Sequence, residues 1–299
     1  MRLTGAGARC LGVLSVAVAC RSSKVPQPAV EQWAHWPMPN AHVAGLPNPH
    51  DYDMSTAGVV VDRITGLMWQ RQLSNTFLSW RKAQQQCASL SLAGHHDWRL
   101  PSRIELVTLL DSARTQPSID TDAFPGTPND WFWTSSPAAD DPNAAWYVYF
   151  YFGYPKTDDV GNTFSVRCVR TYRQPRELDA RYEVRTHDVR DIATGLVWER
   201  APTTHSMSFE GARTYCNGLN LAGQAHWRVP TMTELLTLVD ERATAPMIDL
   251  VAFPEAPTEA VWTSSTFANG TELAWYVRFD RGTGLYGRLV ELFHVRCVL

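Results

Sequence analysis

Residues 97–106 read DWRLPSRIEL, and residues 226–235 repeat this stretch as HWRVPTMTEL. In each copy a hydroxyl residue stands three positions before a glutamate, as Ser102 and Glu105 do in the first. This spacing predicts a capping box, in which the hydroxyl and the carboxylate accept hydrogen bonds from amides that a helix N-terminus leaves unpaired. Both copies therefore predict a buried tryptophan that leads directly into a helix.

The repeat extends far beyond this stretch, because matched residues such as Cys168 and Cys297 lie 129 positions apart along most of the chain. This period exceeds the ~20 to 50 residues of solenoid repeats, so each copy is expected to be a self-standing domain. The predicted class is α+β, with two helices and a mainly antiparallel sheet in each domain. The predicted boundaries are 53–172 for the first domain, 173–186 for a linker or first strand, and 187–299 for the second domain.

The N-terminal 19 residues have the features of a secretory signal, with Arg2 and Arg9 supplying positive charge and an apolar run that is too short to span a bilayer. Cys20 follows directly. This order predicts a bacterial lipoprotein whose Cys20 is lipidated and which is attached to a membrane through that lipid. The alternative is cleavage of the same bond after an Ala-x-Ala site, which gives a secreted or periplasmic protein.

Residues 20–52 are rich in proline, asparagine and alanine and show no helical or alternating period. We interpret them as an extended tether, part of which is anchored by Trp33 and Trp36. The alternative is full disorder, although tryptophan is uncommon in segments that bury nothing.

Composition indicates a globular protein, because 44% of the residues are hydrophobic and 11% are aromatic. Removal of the signal, which carries two arginines and no acidic residue, takes the formal charge from −3 to −5. Nucleic-acid binding is therefore disfavoured, since it needs clustered positive charge.

Two local patterns recur in both copies. A glycine closes the short connection between residues 59–62 and 67–69, which predicts a β-hairpin. Ser79 is placed to cap a helix whose apolar positions, including Ala83 and Cys87, share one face. Cys87 is therefore expected to point inward.

The cysteines divide into matched pairs once the signal is set aside, with Cys87 and Cys168 in the first copy and Cys216 and Cys297 in the second. In an exported protein, the simplest proposal is one disulfide per domain that joins the first helix to the last strand. Neither copy has a CxxC or a repeated histidine near its cysteines, so a metal site is disfavoured. The apolar helix face disfavours a thiol nucleophile.

Several motifs together resemble the Lcl C-terminal domain family. They are Thr65-Gly66-Leu67-Met68-Trp69, Ala93-Gly94-His95-His96-Asp97-Trp98-Arg99-Leu100-Pro101, Trp133-Thr134-Ser135-Ser136, Ala145-Trp146-Tyr147-Val148 and Val166-Arg167-Cys168-Val169. The resemblance covers two copies and most of the mature chain. It implies two tandem C-type-lectin-like domains, with a helix cysteine bonded to a final-strand cysteine, and a role in surface adhesion or polysaccharide binding.

The resemblance does not imply a calcium-dependent sugar site, because the Glu-Pro-Asn or Gln-Pro-Asp loop and the Trp-Asn-Asp strand of calcium-dependent lectins are absent. Asp140, Asp141 and Asn143 offer oxygen ligands, but an acidic loop is more often simply solvated. The same fold class contains formylglycine-generating enzymes, whose activity needs active-site cysteines. Here the paired cysteines are assigned to disulfides.

Residues that both copies keep are expected to serve the shared fold. Three tryptophan pairs are therefore assigned to the core: Trp98 and Trp227, Trp133 and Trp262, Trp146 and Trp275. Four kept polar pairs offer acids and bases for catalysis, but a satisfied polar network or helix caps explain them better. They are Arg99 and Arg228, Glu105 and Glu234, Asp111 and Asp240, and Asp120 and Asp249.

The copies diverge after Trp146, where a strand is predicted to carry Tyr147, Tyr149 and Tyr151 on one face, with Tyr154 following. The second copy has an ordinary polar face at the matching positions. Because tyrosine presents a flat apolar ring with a polar tip, we predict a ligand-binding surface containing Tyr149, Tyr151 and Tyr154. The alternative is that these rings pack against the linker or the second domain.

The sequence thus predicts a non-enzymatic binding or adhesion protein of the cell envelope, with a polysaccharide or a surface protein as its partner and no cofactor. The expected location is the outer membrane or cell surface. The second hypothesis is a structural envelope scaffold without a small ligand, and the third is an enzyme on a formylglycine-generating-enzyme-like fold. No nucleophile, metal cluster or phosphate loop is apparent in the sequence.

Overall fold

The structure is a computed structural model that describes residues 33–74, 76–174, 178, 180–201 and 203–299. The predicted signal and the lipidation site Cys20 lie outside these residues. No helix within the described ranges has the length and apolar character needed to cross a membrane.

The first repeat is built from two antiparallel sheets and two helices. Its strands are β1 (Tyr52–Asp53), β2 (Val59–Asp62), β3 (Leu67–Gln70), β4 (Trp131–Pro137), β5 (Ala144–Tyr149), β6 (Tyr154–Asp159) and β7 (Val169–Thr171). Its helices are α1 (Trp80–Ala88) and α2 (Arg103–Val107), and a 3-10 turn at His42–Ala44 precedes them. The sheet orders are β1-β2-β3-β7 and β4-β5-β6.

The second repeat has the same plan, which makes the chain an α+β protein of two similar domains. Its strands are β8 (Tyr182–Val184), β9 (Asp188–Asp191), β10 (Val197–Glu199), β11 (Ala260–Thr266), β12 (Leu273–Arg278) and β13 (Thr283–Arg288), and its helices are α3 (Phe209–Gly218) and α4 (Met232–Leu236). The sheet orders are β10-β9-β8 and β11-β12-β13.

The local predictions are largely confirmed. Strands β2 and β3 pair as an antiparallel hairpin, and α2 and α4 each begin with a complete capping box. At α1, Ser79 occupies the N-cap position but its side chain accepts no capping hydrogen bond, whereas Ser208 accepts one from the Gly211 amide. The prediction of a side-chain cap at Ser79 was therefore wrong, because a preferred residue type does not ensure the rotamer that a cap requires.

Both predicted disulfides are present, and they link each first helix to the segment at the end of the same domain. Cys87 is bonded to Cys168, and Cys216 is bonded to Cys297, with a sequence separation of 81 residues in each case. Such bonds fit a protein that folds outside the reducing cytoplasm. All six matched tryptophans are no more than 2% exposed, which confirms their assignment to the core.

The two repeats share one hydrophobic core. Each domain has its own smaller apolar cluster around its disulfide, but the largest cluster contains α2 residues of the first repeat and α4 residues of the second. Every residue of both short helices is buried. The N-terminal segment joins this core through Ala34, Trp36 and Met38, so the expected anchoring by Trp36 is confirmed.

The interface between the repeats is reciprocal. The Thr283 hydroxyl donates a hydrogen bond to the Pro155 carbonyl, and at the matching place Gly284 lies against Tyr154. With the offset of 129 residues, position 283 of the second repeat matches 154 of the first, and 155 of the first matches 284 of the second. Each contact therefore recurs with the roles of the repeats exchanged, which is the pattern of a two-fold interface. The two repeats of the chain therefore pack against each other as two subunits do in a symmetric dimer.

One buried ion pair breaks this symmetry. Arg103, fully buried in α2, donates from Nε to Glu241 Oε1 at 2.8 Å and from Nη2 to the Leu236 and Val239 carbonyls. The matching positions in the other half hold Met232 and Ser112. Burial raises the pKa of Glu241, whereas the Arg103 charge lowers it.

We predict that Arg103→Met lowers the free energy of unfolding by about 3–5 kcal/mol, because it leaves a buried carboxylate without its partner. The pKa of Glu241 then rises further. A carboxyl whose folded-state pKa is raised loses folded-state stability as pH rises, so the loss should be smaller at about pH 5 than at about pH 8. Urea unfolding at both pH values measures this.

The control is Arg103→Met/Glu241→Ser, which installs the residues of the other half and should recover most of the loss. A single variant as stable as the unmodified protein would contradict the assigned role of the ion pair.

Candidate functional site

The predicted tyrosine strand is shorter than the sequence indicated. Strand β5 ends at Tyr149, and the chain turns before Tyr154 begins β6 directly opposite Tyr149. Tyr147 is buried at 5% exposure in the first domain's own cluster. The prediction of a strand that continues through Tyr151 was therefore wrong, because Gly153 at positive φ allows a tight hairpin that the alternating pattern conceals. The predicted alternation is confirmed, since Tyr147 and Tyr149 pack in one cluster and Tyr151 stacks on Tyr149.

Antiparallel pairing of β4 and β5 places Trp131 opposite Tyr149. Their rings stack with centroids 5.2 Å apart and planes 20° apart, and Tyr151 stacks on Tyr149 at 5.7 Å and 15°. Trp131 is 40% exposed, and its ring centroid lies 5.6 Å from that of Phe164. We call Trp131, Tyr149 and Tyr151 the aromatic surface.

Tyr154 does not belong to this surface. It meets Tyr149 edge to face, but it also lies 6.3 Å from Trp275 of the second domain. Of the three predicted binding tyrosines, the structure thus brings Tyr149 and Tyr151 together in half-exposed positions and places Tyr154 at the interface between the repeats.

The phenols of the aromatic surface are suited to donate hydrogen bonds. Partial burial raises the pKa of Tyr149, and the neighbouring Tyr151 and Asp130 raise it further. Tyr149 therefore remains a neutral O–H donor at physiological pH. The stack offers a ligand the exposed part of the Trp131 ring, the edges of the rings and the hydroxyl tips of the tyrosines.

Sequence reasoning missed Trp131, the most exposed member of the surface. The signal was present, because the second copy has Ala260 at the matching position while Trp133 is kept as Trp262. Because they are two positions apart in one strand, Trp131 and Trp133 point to the same face, and both contact Phe164. Trp131 is exposed because it lies at the first position of β4, at the end of that face.

The second domain has a different surface at the same place. Ala260, Arg278 and Asp280 stand where the first domain has Trp131, Tyr149 and Tyr151. Arg278 donates two hydrogen bonds to the Asp280 carboxylate, at 2.9 Å and 2.7 Å. The same backbone thus presents stacked rings in one domain and an ion pair in the other.

The kept polar residues serve the fold. Glu105 closes the capping box and accepts two hydrogen bonds from the Arg99 guanidinium, and Glu234 does the same with Arg228. The four kept aspartates, Asp111, Asp120, Asp240 and Asp249, accept hydrogen bonds from backbone amides two or three residues ahead. Within the described residues, no group of three or more His, Cys, Asp or Glu side chains is arranged to hold a metal ion.

Comparison with known families agrees with this arrangement. The profile of the Lcl C-terminal domain matches residues 58–170 and again residues 187–299. The chain belongs to the Lcl C-terminal domain family. The two matched regions are the two repeats of the structure, so the protein is a tandem pair of Lcl C-terminal domains. No curated protein sequence matches the chain significantly.

We predict that Trp131→Ala/Tyr149→Arg/Tyr151→Asp, which gives the first Lcl C-terminal domain the surface of the second, folds with both disulfides formed. Loss of the stacked rings should lower the free energy of unfolding by only about 1–3 kcal/mol, since each aromatic pair is worth roughly 0.5–1.5 kcal/mol. Denaturant unfolding and intact mass under non-reducing conditions measure this.

The contrasting variant is Trp133→Ala, which removes a fully buried ring two positions further along β4 and should lower the free energy of unfolding by about 3–5 kcal/mol. If the surface variant fails to fold, the aromatic surface is part of the core and not a free face.

Proposed function

We propose that this protein is a non-catalytic binding or adhesion protein of the cell envelope that recognises a polysaccharide through the aromatic surface of its first domain. The observation that carries the proposal is the half-exposed stack of Trp131, Tyr149 and Tyr151, which the second domain replaces with Ala260 and an ion pair. Aromatic anchors of this kind dominate many binding surfaces. The family membership supports a binding role outside the cytoplasm.

We also propose that each repeat is a C-type-lectin-like domain. In support, a helix cysteine is bonded to a cysteine near the C-terminal end of the domain in each copy, and the strands pair antiparallel. Binding by stacking needs no calcium. We therefore expect recognition that chelators leave unchanged and that salt changes little.

The proposed partner is tested with an array of polysaccharides probed by the chain from Arg21 onward, with calcium, with chelator, and at low and high salt. We expect saturable binding that the variant Trp131→Ala/Tyr149→Arg/Tyr151→Asp weakens roughly 30-fold or more, as loss of interface hot spots does.

The matched control is Arg278→Ala/Asp280→Ala on the second domain, which should bind as the unmodified protein does. Unchanged affinity of the folded triple variant would remove the aromatic surface from the account.

The second candidate function is a structural envelope scaffold without a small ligand. It is favoured by Phe152 and Tyr154, whose rings pack between the two domains and so strengthen the tandem unit itself. An array without a saturable hit in any condition would favour this candidate, with other envelope proteins as partners.

We propose that a lipid on Cys20 attaches the protein to a membrane. Cys20→Ser should move the protein from the membrane fraction to the soluble fraction and remove the lipid from its mass. The matched control is Cys10→Ser, which lies within the predicted signal and should leave the protein in the membrane fraction. Membrane attachment of the Cys20→Ser variant would exclude a lipid anchor at this residue.

A further inference from the structure

The reciprocal interface creates two equivalent places between the domains, one on each side of the β6–β13 contact. Each place is formed by the turn before one of these strands and by the sheet edge of the other repeat. In a symmetric dimer of identical subunits the two places would be identical. Here the two repeats place different side chains at the two places, and the difference indicates what each place accommodates.

One of the two places is filled by aromatic side chains. Phe152 lies 5.9 Å from Phe267 and 6.0 Å from Tyr286, and Phe267 stacks on Tyr286 at 4.4 Å. The Asn269 amide donates a hydrogen bond to the Thr115 hydroxyl across the same junction. We call Phe152, Phe267 and Tyr286 the aromatic plug.

The other place lacks the plug. The residues that match Phe152, Phe267 and Tyr286 are Arg281, Ala138 and Thr157. A cavity of about 530 Å³ remains there, and residues of both domains line it, among them Asp140, Trp146, Lys156, Met247 and Asp280. Thr157 and Arg281 are part of this lining, and so is Ala139, which follows Ala138.

Protein interiors are close-packed, and this chain fills the equivalent space with three rings. The interdomain cavity is therefore not a requirement of the interface geometry. Its volume and its position between domains are those of small-molecule sites, which are mostly apolar with a few polar groups.

The lining has an apolar bottom and a charged mouth. Trp146 and Met247 are buried, at 1% and 7% exposure, so they form the inner wall. Lys156 and Arg281 are exposed and lie at the opening, with the Arg281 side chain 73% exposed.

Two acidic residues also line the cavity. Asp280 accepts two hydrogen bonds from Arg278 and also lies 3.7 Å from Arg281 Nε, while Asp140 is exposed. With Lys156, three cations thus stand against two carboxylates, which leaves a net positive charge at the mouth. A ligand with an apolar body inside the cavity and a negative group at the opening would match both parts of the site.

We propose that the interdomain cavity binds a small aromatic molecule that carries an anionic group, with its ring in the space that the aromatic plug fills in the other half and its anion at Lys156 and Arg281. This site is separate from the aromatic surface. Its occupancy does not depend on polysaccharide binding.

The test uses three probes with the same ring: indole-3-acetate, the neutral indole-3-acetamide and the cationic tryptamine. We expect calorimetric titration of the mature chain to show saturable binding of the anion, about fivefold tighter than the neutral probe, because ion pairs with exposed cations are weakened by solvent. Tryptamine should bind most weakly. Equal binding of the three probes, or saturable binding by none, would overturn the proposal.

Two variants separate the cavity from the charges. Ala138→Phe/Thr157→Tyr/Arg281→Phe installs the aromatic plug, and it should abolish binding of indole-3-acetate while leaving the aromatic surface intact. Lys156→Gln/Arg281→Gln changes only exposed residues, so it should fold, keep the cavity and lose the preference for the anion. Undiminished binding in a folded plug variant, or an unchanged preference in the glutamine variant, would place the probe elsewhere and contradict the proposal.

Discussion

The structure depends on the apolar surface that the two repeats bury against each other. Helices α2 and α4 are only five residues long, and each is buried on every side, including at Arg103 and Glu105. A helix without a solvent face needs cover from two directions. Its own sheet supplies one direction, and the other repeat supplies the second. This core therefore requires both repeats, packed against each other.

The reciprocal interface also explains where the protein differs from a symmetric pair. Matched backbones place different side chains in equivalent surroundings, so each difference is an internal comparison. Arg103 and Glu241 form an ion pair where the other half has Met232 and Ser112. In the same way, the aromatic plug fills one of the two equivalent places between the domains, and the interdomain cavity occupies the other. Features that only one copy carries are not required by the fold that the two copies share.

Much of the fold could be predicted from the sequence because its signals are local or repeated. The capping boxes follow from residue spacing, and the disulfides follow from one matched pair of cysteines in each copy. The cap at Ser79 failed because rotamer choice depends on tertiary surroundings. The shared core was not predicted, since a burial pattern does not show whether a hydrophobic face meets its own domain or another.

The candidate site was predicted only in part, for similar reasons. Alternation placed Tyr149 on an accessible face, but the tight turn at Gly153 sent Tyr154 to the interface. Trp131 was missed because single-strand patterns do not reveal cross-strand neighbours. The copies differ at Trp131, so comparison of the repeats would have found it.

The most direct test of the central claim, that ligand binding belongs to the surface where the first repeat differs from the second, is hydroxyl-radical footprinting with a bound polysaccharide. We expect protection of Trp131, Tyr149 and Tyr151, with no change at Tyr276 in the second domain or at the exposed Tyr172. Protection of the second domain's matching face, or unchanged oxidation of Trp131 at saturating polysaccharide, would contradict it.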